Sequence, residues 1–171
     1  IAVMLFSASL ISMRTVGPPL RKWYPKALGS IALGGGLTLI VITQAVLQLN
    51  PWYLSIFMVP LAGMIFSNAM NSVSISAERL NAELSQGTDY QQARNAAFRA
   101  ALIPITNSLL AVGLVALPGM MTGQILSGVS PLLAVRYQIM VMCMVYGSAG
   151  ISAACFLTLA KSETIPFPAD A

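Results

Sequence analysis

The sequence predicts an all-α integral membrane protein, a polytopic helical bundle of about four full spans preceded by a truncated helix. Three observations carry this. Of 171 residues, 57% are hydrophobic and 8% are charged, against roughly 25% charged in a soluble domain. Charge is missing altogether from residues 27–77, 100–135 and 137–160. The basic residues behind the net charge of +4 gather at the ends of those runs.

The elements follow in order. Residues 1–13 carry no charge, but a helical crossing takes about 20 apolar residues. No basic region precedes them and no small-residue cleavage pattern follows Ser12, so they do not read as a signal peptide. They read as the end of a helix, and the polypeptide is expected to lack its natural N-terminus. The run 27–77 is long enough for two spans, 27–49 and 52–76, joined at Asn50-Pro51. Within it, Gly34-Gly35-Gly36 allows close approach or flexing.

The run 100–135 supplies one span, 100–117, and then the stretch 118–128. That stretch is apolar enough for lipid but too rich in Gly and Pro for one straight helix. Irregular backbone at membrane depth is tolerated where protein buries it or where it lines a wet cavity. Pro118, Gly119 and Gly123 mark this structural bend, with Gly119 and Gly123 either packing closely or supplying a positive φ. The run 137–160 is a single returning span. Its small residues, from Gly147 to Ala154, predict close helix packing.

Placing Arg14, Arg21, Lys22 and Lys26, then Arg79, Arg94 and Arg99, then Lys161 on one side requires an even number of crossings between them. The spans supply that, and the positive-inside tendency makes this side cytoplasmic. Arg136, near the outer start of the last span, either snorkels to headgroups or pairs with backbone carbonyls. Trp23-Tyr24 and Trp52-Tyr53 sit at span ends, as an interfacial aromatic belt would. The positive charge suits anionic lipid headgroups. No basic patch with interleaved aromatics points to nucleic acid.

The cytoplasmic segment 77–99 reads as a helical elbow. Val73, Ala77, Leu80 and Leu84 continue one apolar stripe past the membrane. Gly87 stops that helix. Thr88-Asp89-Tyr90-Gln91 has the form of a capping box that opens the next one. The segment is either a solvated connection or a docking surface, in which Leu80, Leu84, Tyr90 and Arg94 would couple to a partner.

The chemistry is defined largely by what is missing. The chain has no His, which excludes imidazole metal sites and relays. No Asp, Glu or Lys falls within a span, which disfavours proton-coupled transport. There is no P-loop motif, no Ser-His-Asp set and no carboxylate pair. An enzyme is not expected, and no cofactor is implied. Cys143 and Cys155 are about 18 Å apart along one helix, beyond disulfide reach, and read as small buried apolar residues. Neutral amides remain, flanked by small hydroxyls: Ser67, Asn68, Asn71, Ser72, Asn107, Ser108 and Gln124. Met64, Met70, Met120 and Met121 lie close to them in sequence. Thioethers either fill the core or favour soft metals such as Cu(I). We expect Asn68, Asn71, Asn107, Met121 and Gln124 to converge on one cavity near mid-membrane as a substrate pathway. Five separate interhelical contacts are the competing reading.

Several of these segments match a known pattern. They include Pro60-Leu61-Ala62-Gly63-Met64-Ile65, Asn68-Ala69-Met70-Asn71, Arg79-Leu80 and Arg99-Ala100-Ala101-Leu102-Ile103-Pro104. Asn107-Ser108, Val112-Gly113-Leu114-Val115, the undecapeptide 118–128, Ser130-Pro131 and the run 134–142 continue the match. Over about residues 14–160 the chain resembles FetB-type ABC permeases. The resemblance implies one transmembrane permease domain over 1–171, N-terminally incomplete, with 77–99 as a cytoplasmic coupling segment. It further implies a bacterial inner-membrane homodimer, a separate cytosolic P-loop ATPase as partner, and export of iron or another metal. Relatives carry about two further spans before the position of Ile1 and a longer stretch between Leu80 and Arg99. They also tend to have Gly where Ser67 stands. A membrane scaffold without its own route is the alternative, and a secondary transporter is weakened by the missing ion ligands.

Overall fold

Among the described residues, six α-helices account for most of the chain. The computed structural model describes residues 1–14, 20–48, 55–115 and 117–161. Helix α1 is Ala2–Ser12. Helix α2, Leu20–Ile40, continues into a π-helical segment, Val41–Val46. Helices α3 (Ser55–Ser85), α4 (Tyr90–Ala111), α5 (Gly119–Leu126) and α6 (Pro131–Ala160) follow. Trp23–Val46, Ile56–Ser85 and Pro131–Ala160 are each long and apolar enough to cross a membrane. The Asn50-Pro51 turn and Trp52-Tyr53 lie outside the described residues.

Helices α2, α3 and α6 pack on one another, α4 lies against α3 and α6, and α1 lies against α2 and α3. Two adjacent glycines make the central contact. A Cβ on Gly34 would come within 2.7 Å of the Ser152 backbone nitrogen on α6. A Cβ on Gly35 would meet the Phe66 ring on α3 at 2.7 Å. One turn of α2 thus touches both neighbours at backbone distance, as small residues permit in membrane helices. Gly36, by contrast, faces open space. At the contact itself the Ser152 hydroxyl is buried without a hydrogen-bond partner, whereas three hydroxyls near it are satisfied within their own helices: Ser30 donates to Ala27 O at 2.9 Å, Thr38 to Gly34 O at 2.7 Å and Ser148 to Val145 O at 3.0 Å. These three are therefore packing residues with no free donor.

The structure corrects the aromatic belt at Trp23. Its indole is buried at 8% exposure, edge-to-face with Phe156 at 5.9 Å. Tyr24 stacks edge-to-face on Phe6. These rings bind α2 to α6 and α1, because a large apolar ring gains most where a partner ring is offered. Cys143 is likewise exposed and Cys155 half-buried, and both are free thiols.

Turn chemistry sets the remaining boundaries. Gly87, at φ +77, ends α3: Gly87 N–H donates to Leu84 O and Thr88 N–H to Glu83 O, the paired bonds of a Schellman cap. The expected capping box is shifted by one residue. Asp89 caps α4, accepting from Gln91 N–H at 3.0 Å. Thr88 turns back instead and donates to Glu83 Oε2 at 3.3 Å, while Arg79 pairs with Glu83 Oε1 at 2.6 Å.

Helix α4 stops at Ala111, six residues before the expected end at 117. Val112 is extended and Gly113 has φ +83, the central pair of a type II turn. Its charge-free part, 100–111, rises only about 18 Å. The bend at 118–128 also takes a different form. Pro118 precedes α5 as its N-cap residue and Gly119 opens the helix, where the missing Pro N–H costs nothing. Neither Gly119 nor Gly123 has a positive φ or a neighbour within 4 Å of a built Cβ. The strained positions flank them, at Gly113 and at Gly128 (φ +88). Gly128 closes α5 with a second Schellman cap, and Ser130 then caps α6 before Pro131.

Two pairs of substitutions check these assignments by thermal melting in detergent. Gly34→Ala should cost about 1–3 kcal/mol or more through overpacking, while Gly36→Ala should be near neutral. Gly128→Ala should cost about 1–2 kcal/mol for its left-handed φ. Gly123→Ala should instead gain up to ~1 kcal/mol of helix propensity.

Candidate functional site: two cavities in series

Pro104 has no backbone N–H, so the Ala100 carbonyl lacks its intrahelical donor in the middle of α4. Polar side chains collect around this point. Ser108 donates to Pro104 O at 3.0 Å, and Ser72 reaches from α3 to Ala101 O at 3.3 Å. Asn68 donates through Nδ2 to Met64 O at 2.9 Å, which leaves its carbonyl oxygen as an acceptor. Asn68, Asn71 and Ser72 of α3, Pro104 and Ser108 of α4, and Ala149 of α6 line a cavity of about 210 Å³. Its polar groups are neutral amides and hydroxyls.

A second cavity, about 320 Å³, is lined by Leu109 and Val112 of α4, Met121 of α5, and Gln138, Met142 and Cys143 of α6. The two share helix faces. On α4, positions 101, 105, 108 and 112 form one stripe. On α6, positions 135, 138, 142 and 149 do the same. The cavities therefore succeed one another along the α4–α6 seam, with Ala149 and Cys143 about 9 Å apart along the α6 axis.

The five expected pathway residues do not share one cavity. Asn68 and Asn71 line the first, as their spacing of three predicts, and Met121 lines the second. Asn107 is exposed and lines neither. Gln124 is half-buried, with its Oε1 enclosed and without a hydrogen-bond partner. The type II turn at Val112-Gly113 separates them, because it swings α5 away from the axis of α4. Gln138, Met142 and Cys143 escaped the sequence reading. Their helical spacing was visible, but α6 is apolar all round and shows no preferred face.

The elbow is built from the inside. Leu80 is 1% exposed, so it is a core residue and no docking contact. Leu84 and Tyr90 are half-buried against the same core, and Arg94 is half-buried beside them. The Tyr90 hydroxyl donates to the Leu157 carbonyl near the end of α6. Burial pushes this hydroxyl above the usual tyrosine range, with Arg94 pulling the other way. The exposed face of the elbow is polar: Ser85, Gln86, Asp89, Gln91, Gln92 and Asn95.

Long apolar helices packed around small cavities, one of them lined by amides and hydroxyls, define an all-α membrane protein. The chain belongs to the UPF0014 family, described as an uncharacterised protein family, whose model matches residues 1–165. A UPF0014 membrane protein of Synechocystis sp. is 37% identical, the match covering 85% of this chain and 62% of that one. The probable iron export permease protein FetB of Escherichia coli (strain K12) is 37% identical, covering 77% and 56%. The protein ALUMINUM SENSITIVE 3 of Arabidopsis thaliana is 34% identical, covering 72% and 50%. The matches thus span about half to three-fifths of these curated relatives. No solved structure matches. The resemblance read from the motifs is therefore a true kinship.

The Tyr90 bond has a pH signature. A tyrosine whose folded pKa is raised favours the neutral form, so its contribution is present below the ordinary value near 10 and is lost as pH rises through the folded value. Tyr90→Phe should cost about 1 kcal/mol at neutral pH and should flatten the fall in melting temperature above pH 10. An unchanged alkaline profile would show that Tyr90 does not hold the elbow.

Proposed function

We propose that this chain is the membrane-spanning permease part of an ATP-driven metal exporter of the ABC type, working as a homodimer in the bacterial plasma membrane. ATP would be hydrolysed by a separate cytosolic P-loop subunit. The observation that carries this reading is the pair of cavities in series along the α4–α6 seam, with the elbow at the cytoplasmic end given by the charge pattern. A route needs successive sites of modest affinity, and neutral amides and hydroxyls provide that. A cation there keeps its charge and loses part of its hydration, so it binds weakly. Kinship with a protein named for iron export supports metal as cargo, and iron is the first candidate.

The coupling role of residues 77–99 is part of the same proposal. Contact with the ATPase falls to the exposed polar tip, from Ser85 to Asn95. Leu80, Leu84 and Tyr90 set where that tip stands, and Arg94 borders it. A force applied at the tip passes to α6 through Tyr90 and to α3 through the Schellman turn. On this reading the permease domain extends over 1–171.

The test is reconstitution with the cognate ATPase in lipid vesicles. Iron should stimulate ATP hydrolysis and leave the cytoplasmic face. Asn71→Leu and Ser108→Ala should each lower efflux about tenfold, roughly 1.4 kcal/mol of barrier, with the melting temperature unchanged. If stability falls in proportion to efflux, these residues are packing only and the scaffold reading stands.

A further inference from the structure

We infer that the second cavity is a binding site for a soft monovalent cation of the Cu(I) class, held by Met121, Met142 and Cys143 beside the Gln138 amide. As a statement about cargo this rests on the proposed export function, whereas as a binding site it stands alone. The first observation is Gln138, only 4% exposed, whose Oε1 is enclosed without a hydrogen-bond partner while the residue lines the cavity. An orphaned buried acceptor costs about 1–3 kcal/mol, and a bound cation would relieve it.

The second observation is the donor set. Met121 comes from α5, which is held against α6 by the Gly128 and Ser130 caps. Met142 and Cys143 follow Gln138 by four and five residues on α6. Met121, Met142, Cys143 and Gln138 line one cavity of about 320 Å³, among the aliphatic side chains of Leu109, Val112, Val135 and Ile139. Among the described residues no group of three His, Cys, Asp or Glu is placed to hold a metal. A hard divalent or trivalent ion would therefore sit here with most of its charge uncompensated. A monovalent soft ion needs one thiolate for neutrality. Cys143 is exposed on the surface of α6, so in the detergent-solubilised chain its proton passes to the buffer as the metal–sulfur bond forms. Thioether and thiolate donors favour Cu(I) over harder metals.

The test is anaerobic titration of the purified full chain in detergent with Cu(I), in competition with bicinchoninate, in a Cys155→Ser background that removes the other thiol. One equivalent per chain should bind. The Met121→Leu, Met142→Leu double variant should bind at least tenfold more weakly with unchanged helical melting. Gln138→Met, which adds a third thioether at similar size, should bind more tightly. Equal concentrations of Fe(II) should not displace Cu(I). No stoichiometric uptake by folded protein, undiminished affinity in the double variant, or weaker or unchanged binding by Gln138→Met overturns the site. Equal competition by Fe(II) overturns its soft character. Binding without metal-stimulated ATP hydrolysis would overturn the export function and leave the site standing.

Discussion

The contact of Gly34 and Gly35 with Ser152 and Phe66 sets the spacing of everything else. In lipid, helices gain no hydrophobic free energy by meeting, so association depends on close van der Waals packing and on hydrogen bonds between them. Two successive residues without Cβ let α2 press into α6 and α3 at once. Fixing those three helices leaves α6 with one face turned to α2 and another to α4. The second face carries both cavities. A bulkier residue at Gly34 would move α6, and with it the floor of each cavity.

How much of this was legible in the sequence follows from what hydropathy can and cannot encode. The charge-free runs located α2, α3 and α6, because the absence of charge is a requirement of the bilayer itself. Gly87 announced the end of α3, since a left-handed residue after a helix is a local property. The end of α4 was hidden: Val112-Gly113 turns within an apolar run, and composition is blind to the sign of φ. The cap of α4 was misplaced by one because Thr88 and Asp89 are both good N-cap residues, and Glu83 decided between them by taking Thr88. Trp23 was misread because the same ring suits an interface or a core. Its partner, Phe156, lies on a helix far along the chain.

The two cavities differ in the chemistry that each offers. The first presents the oxygens of Asn68, Ser72 and Ser108, whose hydrogens are already donated to backbone carbonyls, so their remaining lone pairs are available to a guest. The second presents polarizable sulfur around an amide with nothing to satisfy it. From the first cavity to the second, the available donors change from oxygen to sulfur. On the proposed route, ions that tolerate both environments would pass and strongly hydrated ones would be held back by the cost of desolvation.

One mechanical consequence belongs to α6 as a rod. Leu157, where the elbow is latched, lies five residues from Ser152, about 7.5 Å along the axis. Gln138 lies fourteen residues to the other side, about 21 Å. Measured from the Gly34 contact, the rod has a short arm toward Leu157 and a long arm toward Gln138. A displacement at the latch is enlarged about threefold by the time it reaches the sulfur-lined end. Gly147 and Gly150 sit on the long arm, where they lower its bending stiffness. For any pivot at this contact, the gain is fixed by where one glycine meets one serine, and the compliance by two others.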